Sequence, residues 1–354
     1  PAFDRTTIEK TRSIYAQFNT DWDTALPMHT GIGFRYEQTR VDSTGLTKVP
    51  TAIRWISENE LPVDFGSQQF ETLEGKYNNF LPSASAVVAW QDNLQSHISY
   101  GKTLTYPDFA SLNPALSLVP PTVNAPGSGG AGNPYLEPTR SKNLDATLEY
   151  YFAKNGYAQV ALFHRDIDGY LQNFTQDENI GGVTYRVTRP QNSGKGTLRG
   201  AEFGIQKFFD FLPGIWSDFG VQANYTWIDG DNETRTSFGS DVYEKTALIG
   251  VAKQNYNLAL LYEGNGVTGR LAATRRGDYV EQIAEPPFNQ DRVVKATTFV
   301  DLSIGYEIND KVSLQFDAIN ITKEKFESYL NDPIRPRDIR YNPTTYGLGL
   351  RFSL

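Results

Sequence analysis

The residues best suited to chemistry sit in or beside long polar segments. They are Arg54 and Trp55; Tyr106, Asp108 and Phe109; Tyr135 and Arg140; Tyr185 and Arg186; Arg275, Arg276 and Tyr279; and Tyr329, Arg335 and Arg337. Aromatic rings stack on the apolar faces of sugars while Arg and Asp bind hydroxyls, so the mixture suits an oligosaccharide. It suits a ferric siderophore equally, because catecholates and carboxylates favour the Arg fork. The alternative for each residue is an outer aromatic girdle, with charges facing water or lipopolysaccharide. Other chemistry has little to stand on. His29, His97 and His164 are far apart and cysteine is absent, so no metal-ligand spacing is present. Gly127-Ser-Gly-Gly-Ala-Gly132 fits a dinucleotide-binding pattern, but prolines precede it and no strand-to-helix context surrounds it; it reads as a flexible loop. There is no nucleophile elbow and no carboxylate pair at a telling spacing. We therefore expect neither an enzyme, nor a cofactor, nor a metal. A net charge of −8, from 33 basic and 41 acidic residues, argues against nucleic acid as a partner.

Strands must position these residues. Ile14, Ala16 and Phe18 alternate with polar neighbours. So do Ile32, Phe34 and Tyr36; Ala84 to Trp90; Leu144 to Phe152; Val221 to Trp227; Tyr256 to Tyr262; Val300 to Ile308; and Val312 to Ala318. Aromatics make up 13% of the chain, which suits strands and girdles. Mean hydropathy is −0.46, and no run approaches the ~18 apolar residues of a spanning helix. That does not exclude a membrane, since a barrel strand shows lipid only every second residue.

Connections alternate strictly between short and long. Short ones fall at Asp23–Pro27, Gln91–Asn93, Ala153–Gly156, Phe211–Ile215, Gly264–Gly266 and Asn309–Asp310. Long ones fall near 42–78, 105–140, 175–196, 230–244, 282–293 and 322–339. Outer-membrane barrels have tight periplasmic turns and long extracellular loops. A soluble sandwich would not keep this alternation over about 13 strands. The predicted fold is all-β, a transmembrane antiparallel barrel. An odd strand count leaves the first and last strands unable to close antiparallel, so further strands are expected upstream of Pro1. The segment Tyr346 to Leu354 is expected to be the closing strand.

At this level the chain resembles the TonB-dependent outer-membrane receptors, in the C-terminal part of their barrel. The resemblance runs through Ile14–Asn19 with Gly31–Glu37, Phe80-Leu-Pro-Ser83, Thr105-Tyr-Pro-Asp-Phe109 with Leu112-Asn-Pro114, and Asn133-Pro-Tyr-Leu-Glu-Pro138 leading into Asn143–Tyr150. It continues through Asn192 with Gly200-Ala-Glu202, Gln254-Asn-Tyr-Asn257, Arg270 to Tyr279, and the Asp301 to Asn320 hairpin. It implies a barrel of about 22 strands, of which about 13 lie here, with plug, TonB-contacting motif and first strands upstream. It also implies energy-coupled uptake of a scarce solute, outer-membrane lipid and lipopolysaccharide as surroundings, and a TonB-type complex as partner. Members commonly end in an aromatic residue, whereas this chain ends in Leu354 with Phe352 two positions earlier. Thr51-Ala-Ile-Arg-Trp-Ile-Ser57 is similar to a subgroup tied to carbohydrate uptake, so the substrate expectation leans to an oligosaccharide. A ferric siderophore is the alternative, and a passive porin-like channel the second.

Overall fold

The computed structural model describes residues 5–352 except 48–49, 55, 58–61, 68, 123–124, 154, 238, 286–287 and 289. Among these, thirteen strands form one continuous antiparallel wall. They are β1 (Arg5–Trp22), β2 (Met28–Thr47), β3 (Gln69–Gln91), β4 (Leu94–Thr105), β5 (Thr139–Ala153), β6 (Gly156–Ile180) and β7 (Val183–Phe208). The rest are β8 (Phe219–Arg235), β9 (Gln254–Gly264), β10 (Val267–Arg276), β11 (Thr297–Asn309), β12 (Val312–Ile319) and β13 (Thr345–Phe352). Each hydrogen-bonds to its neighbours in chain order, β1 and β13 on one side only among the described residues. The expected thirteen are all present, and the described part of the expected closing strand pairs through Val312↔Phe352 to Ile319↔Thr345. Ser353 and Leu354 lie outside the described residues.

Period two separates the faces. The outward row Phe18, Ile32, Ala84, Tyr100, Leu144 is in register across five strands. These side chains stay open to the surroundings: Phe18 is 72% exposed and Ile32 64%. The inward row Asn19, Gly31, Ser85, Ser99, Asp145 is polar. The outward row runs on through His164 and Arg199 to Asp229. A hydrogen-bonded row thus leaves the apolar band within eight strands, as tilted barrel strands require. From Met28 to Tyr36 the band measures about 26 Å along the strand, or about 20 Å in height at a tilt of about 40°. Aromatics edge it. Trp22 Nε1–H donates to Thr30 Oγ1 at 2.8 Å and Trp90 Nε1–H to Ser96 Oγ at 2.9 Å, so both indoles keep a polar partner beside their apolar rings.

Turn chemistry fits the wall. Asn265 (φ 53°) and Gly266 (φ 74°) are both left-handed, the pattern of a two-residue turn whose twist matches the strands it joins. At the other end lies a departure from expectation. The segment 175–196 is not a loop but the continuation of β6 and β7, closed by a second such turn at Gly181 (φ 63°) and Gly182 (φ 82°). Other long connections also carry strands. Pro50–Ile53 pairs with Val63–Phe65. Tyr279–Glu285, Gln290–Val294, Lys325–Leu330 and Asp332–Tyr341 form a separate four-stranded sheet. No helix among the described residues is long and apolar enough to cross a membrane.

Candidate functional site

Function is expected where the long connections gather, and two clusters form there. The first caps β2 to β7. Residues 106–138 fold onto the inner face of β2 and β3, where Val41, Tyr77, Leu112 and Leu136 make a buried core flanked by Tyr106 and Leu171. A Cβ at Gly75 would strike the Pro134 carbonyl, so only glycine permits this approach. The far side is pinned to the β6–β7 hairpin. Asn192 Nδ2 donates to the Glu137 carbonyl at 2.7 Å and to the Gly169 carbonyl at 3.0 Å, while Glu137 N–H donates to Asn192 Oδ1 at 2.8 Å. Asn133 Nδ2 donates to the Pro190 carbonyl at 3.1 Å. Gly127–Gly130, read from sequence as a flexible loop, is instead a strand running parallel to Tyr185–Thr188. Its first glycine lies against the Tyr185 ring, where any side chain would clash.

Arg189 ties the hairpin to itself, with Nε 2.8 Å and Nη2 3.0 Å from the two Glu178 oxygens. These bonds hold the Glu178 carboxyl below the usual Glu range against its partial burial. A group with a depressed folded-state pKa stabilises above its unfolded value and loses that contribution as pH falls through the folded one. The hairpin tip is therefore expected to lose hydrogen-exchange protection on acidification below about pH 4.5. Glu178→Gln should show the loosened tip already at pH 7, without that pH step.

The sequence-derived candidates divide. Tyr106, Asp108, Arg140 and Tyr185 hold the cap together. Tyr106 OH donates to Glu37 Oε2 at 2.7 Å, and burial, then this bond, raises its pKa. Asp108 accepts Ser111 N–H and Oγ–H, each at 2.8 Å, which lowers its pKa. Arg140 donates to Asn79 Oδ1 at 2.8 Å and to Glu137 Oε2 at 2.9 Å. Tyr185 is fully buried. The structure places these four in the packing and hydrogen bonding of the cap. Arg54 pairs with Asp64 at 2.8 Å, Arg186 lies 3.8 Å from Asp177, and Phe109 and Tyr135 are exposed. Trp55 lies outside the described residues. The pins Asn133, Leu136, Arg189 and Asn192 were not among the candidates; the Asn-Pro-Tyr-Leu-Glu-Pro run was their signal.

The second cluster sits beside β8 to β13. A cavity of about 590 Å³ is lined by Tyr256, Arg275, Asp278, Tyr279 and Tyr329, among others. The Arg276 guanidinium stacks 3.8 Å from the Tyr279 ring centre and donates to the Gly250 carbonyl at 2.6 Å. The four-stranded sheet beside it is held by Arg292, 2.9 Å from Glu281 and 2.6 Å from Asp338. Arg335 reaches Gln290 at 3.5 Å, and Arg337 lies over the Phe288 ring at 5.8 Å. So Arg275, Tyr279 and Tyr329 line one aromatic-walled hollow, and Arg276, outside that lining, braces the Tyr279 ring. No group of three or more His, Cys, Asp or Glu that could hold a metal occurs among the described residues.

A meander of thirteen antiparallel strands with an apolar outer band, a polar inner face and capped long loops is the wall of a transmembrane β-barrel. A family model described as TonB dependent receptor-like, beta-barrel matches residues 1–321, and the chain belongs to that family. It is a family of receptors and transporters rather than of enzymes. The fold is similar to that of the ferric-catecholate import receptor Fiu from K12 E. coli, at 17% identity and a TM-score of 0.59, over 98% of this chain and 45% of that one. It is similar to the siderophore receptor PirA from Acinetobacter baumannii, at 13% and 0.56, over 98% and 55%. The ferric yersiniabactin uptake receptor FyuA from Yersinia pestis gives 14% and 0.60, over 99% and 47%. The chain thus spans about half the length of these receptors. No curated protein matches it in sequence.

Proposed function

We propose that this chain is the loop-bearing wall of an outer-membrane receptor that takes up a ferric siderophore. The observation that carries this is the hollow lined by Arg275, Tyr256, Tyr279 and Tyr329. A guanidinium among three aromatic rings suits an anionic, aromatic iron chelate better than a neutral sugar. The receptors of similar fold, described as taking ferric catecholates, siderophores and ferric yersiniabactin, support the same reading. None of these receptors is described as taking a sugar, so the oligosaccharide expectation, which leaned on the Thr51–Ser57 resemblance, gives way to its alternative. Under this proposal a plug and the first strands precede Pro1, a TonB-type complex drives uptake, and lipopolysaccharide meets the outer face.

Fluorescence quenching of the intact receptor tests the ligand. A ferric catecholate should bind, and Arg275→Ala or Tyr329→Ala should each weaken it by about tenfold, the effect of losing one contact to a charged ligand. Saturable oligosaccharide binding, with no response to any ferric chelate, would return the assignment to sugars. Conductance through the intact receptor in a planar bilayer, without ligand or energy coupling, would instead favour a passive channel.

A further inference from the structure

We propose that the chelate taken up is an amphiphile, an iron-binding head that bears an acyl tail, and that the aliphatic side of the Arg275 hollow holds the tail. This rests on the chelate reading and names the substrate class of the same site. The charged side chains that line the hollow are Lys253, Arg275 and Asp278. Lys253 lies 3.6 Å from Asp229. Arg275 donates to Thr298 Oγ1 at 3.2 Å and lies 6.0 Å from the Tyr256 ring centre, with no carboxylate partner among the described residues. One such guanidinium, with Asp278 also in the lining, is a small counter-charge for a space of about 590 Å³. It can hold a chelate head of modest charge, and most of the remaining surface calls for something else.

That surface is aliphatic. Val280, Val293 and Tyr329 stand in one register row across three strands of the separate sheet, and all three line the hollow. Leu248 and Val251, in the connection between β8 and β9, line it too. Their connection is fixed in place: Gly250 N–H donates to the Val280 carbonyl at 2.8 Å, and the Gly250 carbonyl accepts from Arg276 Nη2 at 2.6 Å. Leu248, Val251, Val280 and Val293 are only half-buried, so a ligand that covers them removes apolar surface from water. The position of the hollow points to what covers them. Tyr256, part of its lining, ends the outward row Tyr262, Leu260, Leu258 of β9, in which Leu258 is 52% exposed. The hollow therefore begins where the apolar band ends. A tailed chelate that reaches this edge along the membrane sets its tail on the aliphatic side chains and its head at Arg275. A small hydrophilic chelate would leave the aliphatic side wet.

Titration of the intact receptor in lipid nanodiscs, with the signal of empty discs subtracted, tests this. The probes are ferric complexes of one bis-catecholate head that carries either an acetyl or a hexanoyl group. The hexanoyl form should bind at least about tenfold more tightly, the effect of burying a few methylenes. The combined variant Leu248→Asn, Val251→Asn should bring the two forms to within about twofold of each other, because amides replace the apolar seat. Should that variant fail to fold, by its heat-modifiable mobility on gels, the near-isosteric Val280→Thr decides instead and should cut the gain by at least about threefold. Equal binding of both forms by the wild type would overturn the tail seat and leave the chelate reading standing. So would an undiminished gain in the folded variant, which would mean that the tail partitions into lipid without touching the hollow. Failure of either ferric form to bind at all would overturn the chelate reading itself.

Discussion

Arginine in place of Leu260 is expected to lower the stability of the folded receptor in a lipid bilayer by about 2–4 kcal/mol. Leu260 is 43% exposed and stands in register with Val221 and Leu271. It lies about midway between Tyr256 and Tyr262 on the outward face of β9. On a water-facing surface such a change is worth less than about 0.5 kcal/mol, so a large cost arises only if hydrocarbon surrounds the residue. Asn257 supplies the control. It lies three positions away on the opposite face, in register with Asn224 and Thr274, and Asn257→Arg should cost less than about 0.5 kcal/mol. Equilibrium refolding of both variants into vesicles measures the difference. Equal costs would mean that the outward and inward faces are wrongly assigned.

Those faces were legible in the sequence because each wall strand has one apolar side, and alternation is visible only when one side is apolar. The same physics explains what was hidden. In 175–196 the alternation of Val183, Tyr185 and Val187 with Thr184, Arg186 and Thr188 is present but short, and the polar run Thr175–Asn179 with Gly181 and Gly182 makes the segment read as a loop. Gly127 to Gly130 looks flexible by composition; it is a strand because Tyr185 leaves no room for a side chain. Residue type placed Arg54, Tyr106, Asp108 and Arg140 among ligand contacts, since type records a charge or a ring but not its partner. Their partners, Asp64, Glu37, Ser111 and Asn79, are 10, 69, 3 and 61 residues away. Only the three-residue separation could be read locally. Arg275 and Tyr329 line one hollow although more than 50 residues separate them, a proximity that no local pattern could announce.

Truncating the cap core is expected to open the long-loop end without unfolding the wall. Leu136 is 1% exposed and packs with Val41, Tyr77 and Leu112. Leu136→Ala leaves a cavity there and should cost about 2–5 kcal/mol. The loss falls on residues 106–138, because the strand ladders of β2 and β3 do not depend on that side chain. Local opening then becomes about thirtyfold more frequent or greater. It should appear as faster amide exchange over 131–138 and as a new protease-sensitive site in that loop, with the heat-modifiable band of the barrel retained. Asn192→Ala should give the same signature, since it leaves the Glu137 carbonyl and N–H without their partner. If either variant exchanges as slowly as the wild type, the loop is not held by the contacts described. The two clusters sit on different strands, so ferric-chelate binding at Arg275 and Tyr279 should survive both cap variants. Loss of binding with the cap would instead make residues 106–138 part of the ligand seat and shift the centre of recognition towards β2 to β7.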